Sequence, residues 1–196
     1  MSNFTFPIST SYATSVNDTI PNNILMYHRF GENKYPSTNI REEQLVSHLE
    51  YLKDQGFNFI LARDLLFEDK LQKKTISITV DDAYLSFFEV GLPIFEKYEI
   101  PVTLFLNTEN VGGQNYMNWT QLKSVLSRGV DIQNHTHSHS SLSSLSEIEI
   151  VNEIEKSQDL IFENLGITPN LFAYPFGENS TIALIFFSQY FVAAFC

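Results

Sequence analysis

The chain has 196 residues, of which 43% are hydrophobic and 18% charged, a composition typical of one globular domain with a buried core. Its formal net charge of −11 argues against nucleic acid or an anionic membrane as a partner, because both repel an acidic protein. The one cysteine, Cys196, excludes a disulfide framework and a thiolate metal site. No apolar run reaches the ~20 residues needed to span a bilayer.

Residues 1–22 are rich in Ser, Thr and Asn, without a basic start or an apolar stretch, which predicts a flexible lead-in and not a signal peptide. From residue 23 to 196 short apolar runs alternate with amphipathic stretches in what we interpret as a single domain. The predicted strands are 24–27, 57–61, 76–80, 102–106, 130–133, 171–174 and 191–195. The predicted helices are 40–55, 85–98, 119–128 and 146–165. Repeated strand–helix units predict a parallel α/β architecture.

Candidate functional residues follow four of the predicted strands. They are His28, the pair Asp81 and Asp82, His135, and the turn at 175–177. In parallel α/β barrels the carboxyl ends of the strands meet at one mouth, where functional sites assemble. The spacing therefore predicts a barrel with a single site.

The residue types of two of these segments suit metal-assisted hydrolysis. An aspartate and two histidines four positions apart make a three-ligand face with an open coordination position. His135 and His139 can face one ion if residues 136–140 form a helical turn, and His137 would then be directed elsewhere. The alternative is a polar, histidine-rich loop with no ligand.

The doubled carboxylate at Asp81 and Asp82 has no role in packing, because adjacent acids repel each other. If Asp82 binds a cation, Asp81 stays free to take a proton. The alternative is a solvated turn or an N-cap for the next helix.

Three further candidates, Tyr174, Pro175 and Phe176, belong to a buried strand that ends in a tight turn. The functional interpretation directs the backbone N–H of Phe176 at a developing oxyanion, and the alternative is a strand and turn alone. His28 either lines the mouth of the barrel or caps the first strand.

Together these segments resemble the polysaccharide deacetylase family, also called the NodB-homology or carbohydrate esterase 4 domain. Thr79-Val-Asp-Asp-Ala-Tyr84 resembles its T-F-D-D-G-Y segment, and His135-Thr-His-Ser-His139 is similar to its H-[ST]-x-x-H motif. Phe172-Ala-Tyr-Pro-Phe-Gly177 is similar to its third motif. The resemblance covers residues 23–195 and implies a distorted, incomplete (β/α) barrel.

The resemblance also implies chemistry. Asp82, His135 and His139 would hold Zn²⁺, or another divalent transition metal such as Co²⁺ or Ni²⁺, and Asp81 would be the general base. The implied reaction removes N-linked acetyl groups from a GlcNAc-type glycan, with the Phe176 amide supporting the oxyanion. Relatives usually act in the cell envelope or periplasm. Which glycan is used, and the oligomeric state, are not readable from the residues.

The chain departs from the family at three places. Ala83 replaces a common glycine, and Ala173 stands where many members carry an arginine that orients the base. The Leu-x-His motif that supplies the general acid would lie beyond residue 195, so we expect a C-terminally truncated domain. Because positioned proton transfer contributes on the order of 10²–10⁴ in rate, such a chain should bind metal but turn over slowly. The alternatives are a catalytically impaired carbohydrate-binding or scaffold remnant and a non-hydrolytic metal-binding protein.

Overall fold

The computed structural model describes residues 23–67, 74–178 and 190–195. The lead-in predicted for residues 1–22 lies outside the described residues, and so does most of the uncharged stretch that begins at residue 179.

In this part of the chain, each of the seven predicted strands is present, with its ends shifted by at most two residues. Two further strands of two residues each, β2 and β3, were not predicted, because so short a segment has no readable periodicity. The strands are β1 Asn23–Tyr27, β2 Arg29–Phe30, β3 Asn39–Ile40, β4 Asn58–Ile60, β5 Thr75–Asp81, β6 Val102–Leu106, β7 Asp131–Asn134, β8 Leu171–Ala173 and β9 Ala193–Phe195.

The strands form a parallel sheet in the order β1-β5-β6-β7-β8-β9, with β4 beside the first residues of β5. The sheet is an open half-barrel flanked by helices, as the sequence predicts. All seven residues of β5 are buried, because a central parallel strand is covered on both faces. A second, two-stranded sheet pairs β2 with β3 beside the mouth.

The four predicted helical segments are also confirmed. They contain the helices α1 Glu42–Asp54, α2 Leu92–Lys97, α3 Trp119–Ser127 and α4 Glu147–Leu165. The segment predicted as one helix over 85–98 begins instead with a π-helical turn, Phe87–Gly91. A Cβ on Gly91 would lie 2.9 Å from the ring of Phe30, so the close packing of this turn requires a glycine.

Helix ends follow local capping chemistry. Asn118 and Gln121 form a reciprocal capping box at the start of α3, and Ser146 does the same with Glu149 at the start of α4. α4 ends at Gly166 in the left-handed conformation. Within the described ranges, none of the helices combines the length and the apolar character that a membrane crossing requires.

Candidate active site

Three side chains from distant parts of the sequence converge at the carboxyl end of the sheet. Asp82 follows β5, and His135 and His139 follow β7. Oδ1 of Asp82 lies 3.4 Å from Nε2 of His139 and 3.8 Å from Nε2 of His135. One ligand atom from each of the three residues lies within 4.8 Å of the others. Ligand atoms on a tetrahedral zinc ion are roughly 3.3 Å apart for bonds of about 2.0–2.2 Å, so this cluster matches the size of such a site.

The sequence prediction required a helical turn between the two histidines. The loop that carries them is not helical. Thr136 has φ 68° and His139 has φ 59°, so both residues have left-handed backbone, which a right-handed helix does not contain. The imidazoles of His135 and His139 meet edge to face with ring centroids 4.7 Å apart. His137 points elsewhere, as predicted, with Nδ1 2.8 Å from the hydroxyl of Thr108.

His135 is oriented by the backbone of the neighbouring strand. Its Nδ1 lies 2.8 Å from the carbonyl oxygen of Ala173. Because a carbonyl only accepts hydrogen bonds, Nδ1 carries the proton, and the lone pair of Nε2 faces Asp82. Burial lowers the pKa of His135, so the imidazole is neutral at physiological pH. A neutral imidazole is the form that binds a metal.

Asp82 is held by an asparagine that the sequence reasoning missed. Nδ2 of Asn107 donates to Oδ1 of Asp82 over 2.7 Å, and Oδ1 of Asn107 accepts from Nδ2 of Asn110 over 3.0 Å. A carboxylate accepts only, so this network fixes which end of the Asn107 amide faces the aspartate. The sequence contains a signal that could have identified this residue, because Asn107 is polar and directly follows β6.

The backbone around the aspartate pair is left-handed at two successive residues, with φ 71° at Asp82 and 58° at Ala83. This conformation costs a residue with a Cβ about 1–3 kcal/mol and is tolerated where the surroundings enforce it, often at functional sites. A glycine adopts it freely, which gives a physical reason for the glycine that the family motif leads us to expect at the position of Ala83.

Asp81 is a buried carboxyl group, 5% exposed, at the end of β5. Within the described part of the chain, its Oδ1 has no hydrogen-bond partner. Burial, reinforced by the charge of Asp82, raises the pKa of Asp81 to about 8. The side chain of Ala173 is an uncharged methyl group, so it supplies no positive charge that would lower the pKa of Asp81. A carboxyl group with a proton affinity near neutrality is suited to exchange protons with a reacting molecule.

These groups share one cavity of about 750 Å³. His28, Tyr174 and Phe176 line it, whereas Pro175 is buried in the turn and is not among the described lining residues. His28 is half-buried, and burial lowers its pKa while the charge of Asp82 opposes the shift.

Phe176 forms part of the rim of the cavity. Its backbone is left-handed with φ 60°, and its side chain is 67% exposed. The ring meets that of His139 edge to face with centroids 4.7 Å apart. The aromatic ring thus lies beside a candidate metal ligand and is open to solvent.

Comparison with known sequences identifies related proteins. The family model described as "Polysaccharide deacetylase" matches residues 68–189. The poly-beta-1,6-N-acetyl-D-glucosamine N-deacetylase of Staphylococcus aureus is 26% identical over 172 residues, a match that covers 79% of this chain and 59% of the relative. The YxkH protein of Bacillus subtilis is 25% identical over 159 residues, and the match covers 56% of that protein. The chain thus spans less than two thirds of the length of these relatives.

Solved structures share the fold. IcaB from Ammonifex degensii superposes with a TM-score of 0.80 at 25% identity, covering 88% of this chain and 82% of that one. The Streptococcus pyogenes deacetylase PplD, solved in complex with acetate, gives a TM-score of 0.78 at 25% identity, covering 86% and 79% respectively. The open half-barrel is therefore of the NodB-homology type.

Proposed function

Since the chain belongs to the polysaccharide deacetylase family, we propose that it removes N-linked acetyl groups from a GlcNAc-type glycan with the help of a divalent metal ion. The observation that carries this proposal is the convergence of Asp82, His135 and His139 next to the buried carboxyl group of Asp81. Acetyl removal breaks a carbon–nitrogen bond that is not a peptide bond. The name of the Staphylococcus aureus relative supports this substrate class.

The donor set fits a divalent transition metal. One carboxylate oxygen and two imidazole nitrogens suit Zn²⁺, Co²⁺ or Ni²⁺, and three protein ligands leave a position open, as in catalytic sites. The hydrogen bond from His135 to the carbonyl of Ala173 is the outer-sphere contact that ligating histidines usually make. When bound, such an ion polarises a carbonyl oxygen and lowers the pKa of a coordinated water to roughly 7.

Asp81 is the general base of the proposed reaction. It lies next to Asp82 in sequence and lines the same cavity. A cation held by Asp82 would favour the ionised form of Asp81, and this carboxylate can accept a proton from the attacking water. The water oxygen forms a bond to the acetyl carbon, and the bond between this carbon and the sugar nitrogen then breaks. Acetate and a free amine leave. The backbone N–H of Phe176 is our proposed further donor to the oxyanion.

His28 is the group we assign as proton donor to the leaving amine. Of the three histidines that line the cavity in the described structure, two are the proposed metal ligands, which leaves His28 as the one without a ligand role. Burial lowers its pKa, and the charge of Asp82 opposes this shift by favouring the protonated imidazole. β1, the strand that precedes His28, pairs with β5 in parallel register, so His28 and the aspartate pair leave the sheet at the same end.

The composition of the cavity wall supports a neutral sugar as substrate. Among the described residues that line it, none is a lysine or an arginine, so no permanently charged cationic side chain there would pair with an anionic group on a glycan. Phe176 offers an exposed aromatic face at the rim, a surface on which the apolar side of a sugar ring can rest.

The test is acetate release from β-1,6- and β-1,4-linked GlcNAc oligomers with added Zn²⁺. We expect release by the native chain and a loss on the order of 10²–10⁴ in Asp81→Asn, the contribution of positioned proton transfer. Zinc stoichiometry near one should persist in Asp81→Asn and fall in His139→Ala. Oligomer binding without any acetate release would instead indicate a carbohydrate-binding remnant.

A further inference from the structure

The loop from His135 to His139 has an acceptor for every one of its five backbone N–H groups. The first is bonded to Leu106 O, as a continuation of the sheet. The next is bonded to the side chain of Asn134, and the last to the hydroxyl of Thr136. The two middle amides, those of His137 and Ser138, both donate to one oxygen of Glu153.

Glu153 differs from the other two side-chain acceptors, Asn134 and Thr136, because it lies neither in the loop nor next to it in sequence. It lies on α4, and Oε2 of its carboxylate accepts from His137 N over 3.1 Å and from Ser138 N over 2.7 Å. α4 is itself anchored by the fully buried side chains of Ile150 and Ile154. Hydrogen bonds to an ionised acceptor are roughly twice as strong as neutral ones, so this contact ties the loop to a rigid support.

The loop needs such a support. Thr136 and His139 both occupy the left-handed region, which is unfavourable for residues with a Cβ and persists only where neighbouring contacts enforce it. The two amides bound by Glu153 lie between these two residues in sequence. A loop released from Glu153 would be free to relax at either of them, and the ring of His139 would then move away from Asp82.

We propose that Glu153 is a positioning residue that sets the metal affinity of this site by holding the loop from His135 to His139 in its strained conformation. The inference rests on the proposed function, since it takes Asp82, His135 and His139 as the metal ligands. The carboxylate of Glu153 acts through the loop backbone and is not assigned as a ligand or as a group that contacts the glycan.

The experiment compares Glu153→Ala and Glu153→Gln with Glu163→Ala, a matched change at an exposed position of the same helix. The readouts are Zn²⁺ affinity by chelator competition, the absorption spectrum of the Co²⁺-loaded protein, and the melting temperature in EDTA. Loss of outer-sphere support typically weakens metal affinity by about 10–100-fold, and we expect a weakening of this size in Glu153→Ala. Glu153→Gln, which keeps an oxygen acceptor, should recover most of it, and Glu163→Ala should match the native protein.

The expected pattern includes an altered Co²⁺ spectrum in Glu153→Ala, with a melting temperature in EDTA close to that of Glu163→Ala. Zinc affinity within twofold of native in Glu153→Ala would overturn the proposal. A drop in affinity without recovery in Glu153→Gln, accompanied by an equal loss of stability in EDTA, would also overturn it, because that pattern indicates a purely structural role.

If Glu153→Ala does not fold, Glu153→Asp decides the question. Its carboxylate is one methylene shorter and cannot reach both amides, so zinc affinity should still fall severalfold, and native affinity would contradict the proposal. These outcomes are separable from the proposed function. A native chain that binds Zn²⁺ but releases no acetate would refute the deacetylase assignment and leave the role of Glu153 standing.

Discussion

Asn107 donates a 2.7 Å hydrogen bond to Oδ1 of Asp82, the same oxygen that faces the two histidines. This bond fixes the rotation of the carboxylate. We therefore expect Asn107→Ala to weaken Zn²⁺ binding by about 10–100-fold, the usual cost of losing an outer-sphere contact. Chelator competition measures the effect. Asn110→Ala removes only the support of the Asn107 amide and should cause a smaller loss. If both variants bind zinc as tightly as the native chain, the carboxylate is held by other contacts.

The raised pKa of Asp81 predicts how the stability of the metal-free protein depends on pH. Burial raises this pKa from its ordinary value of 3.8 to about 8. Below 3.8 the carboxyl is protonated in both the folded and the unfolded state and costs nothing. Between 3.8 and about 8 the unfolded chain ionises first, so the free energy of unfolding falls as pH rises, and above 8 the full penalty applies.

Asp81→Asn removes this penalty. In EDTA the variant should melt at a higher temperature than the native protein at pH 8 and above, and the difference should vanish as pH falls to about 4, near the ordinary carboxyl pKa. Thermal melts across this range check the prediction. Asp159→Asn, an exposed change on α4, is the control and should show no such pH-dependent gain. A native protein that becomes more stable between pH 5 and 8 relative to Asp81→Asn would contradict the assigned direction.

His28→Gln tests the proton donor. Acetate release from a GlcNAc oligomer should fall on the order of 10²–10⁴, because the amine must be protonated as it leaves. Hydrolysis of 4-nitrophenyl acetate should fall far less, because nitrophenolate leaves without a proton. His48→Gln is a matched control, since His48 is bonded to the hydroxyl of Tyr27 and is not a described lining residue of the cavity. Equal losses on the two substrates would refute the role of His28.

Phe176→Ala tests the aromatic rim. Removing the exposed ring should raise KM for the oligomer by about threefold to tenfold, since an aromatic contact contributes ~0.5–1.5 kcal/mol, and should leave kcat nearly unchanged. Phe176→Tyr should preserve the native KM. Phe162→Ala, which removes a ring of similar exposure on α4, controls for general surface effects. A fall in kcat at unchanged KM would show that Phe176 acts on the reaction step.

The sequence predicted the fold well because the central strands, β5 to β8, are wholly buried. β5 is an uninterrupted run of buried residues bounded by the aspartate pair, and the helices carry readable caps such as Asn118 and Gly166. The convergence of Asp82 with the two histidines was also predictable, since parallel strands place their carboxyl ends at one edge.

The details of the site depend on tertiary contacts, which leave no periodic pattern in the sequence. The left-handed residues Thr136 and His139 replaced the expected helical turn, because contacts from outside the loop outweigh local preference there. The role of Glu153 could not be predicted from the sequence for the same reason. It is one of many acidic residues on α4, and only the tertiary structure places it against the loop.

The pairing of β1 with β5 has a consequence for how the protein is made. β1 is synthesised before its partner strand β5, and α1 and β4 lie between them in the chain. Non-local parallel pairing of this kind forms slowly. The segment that carries His28 therefore stays unpaired during synthesis until the strand that carries the aspartates has been made.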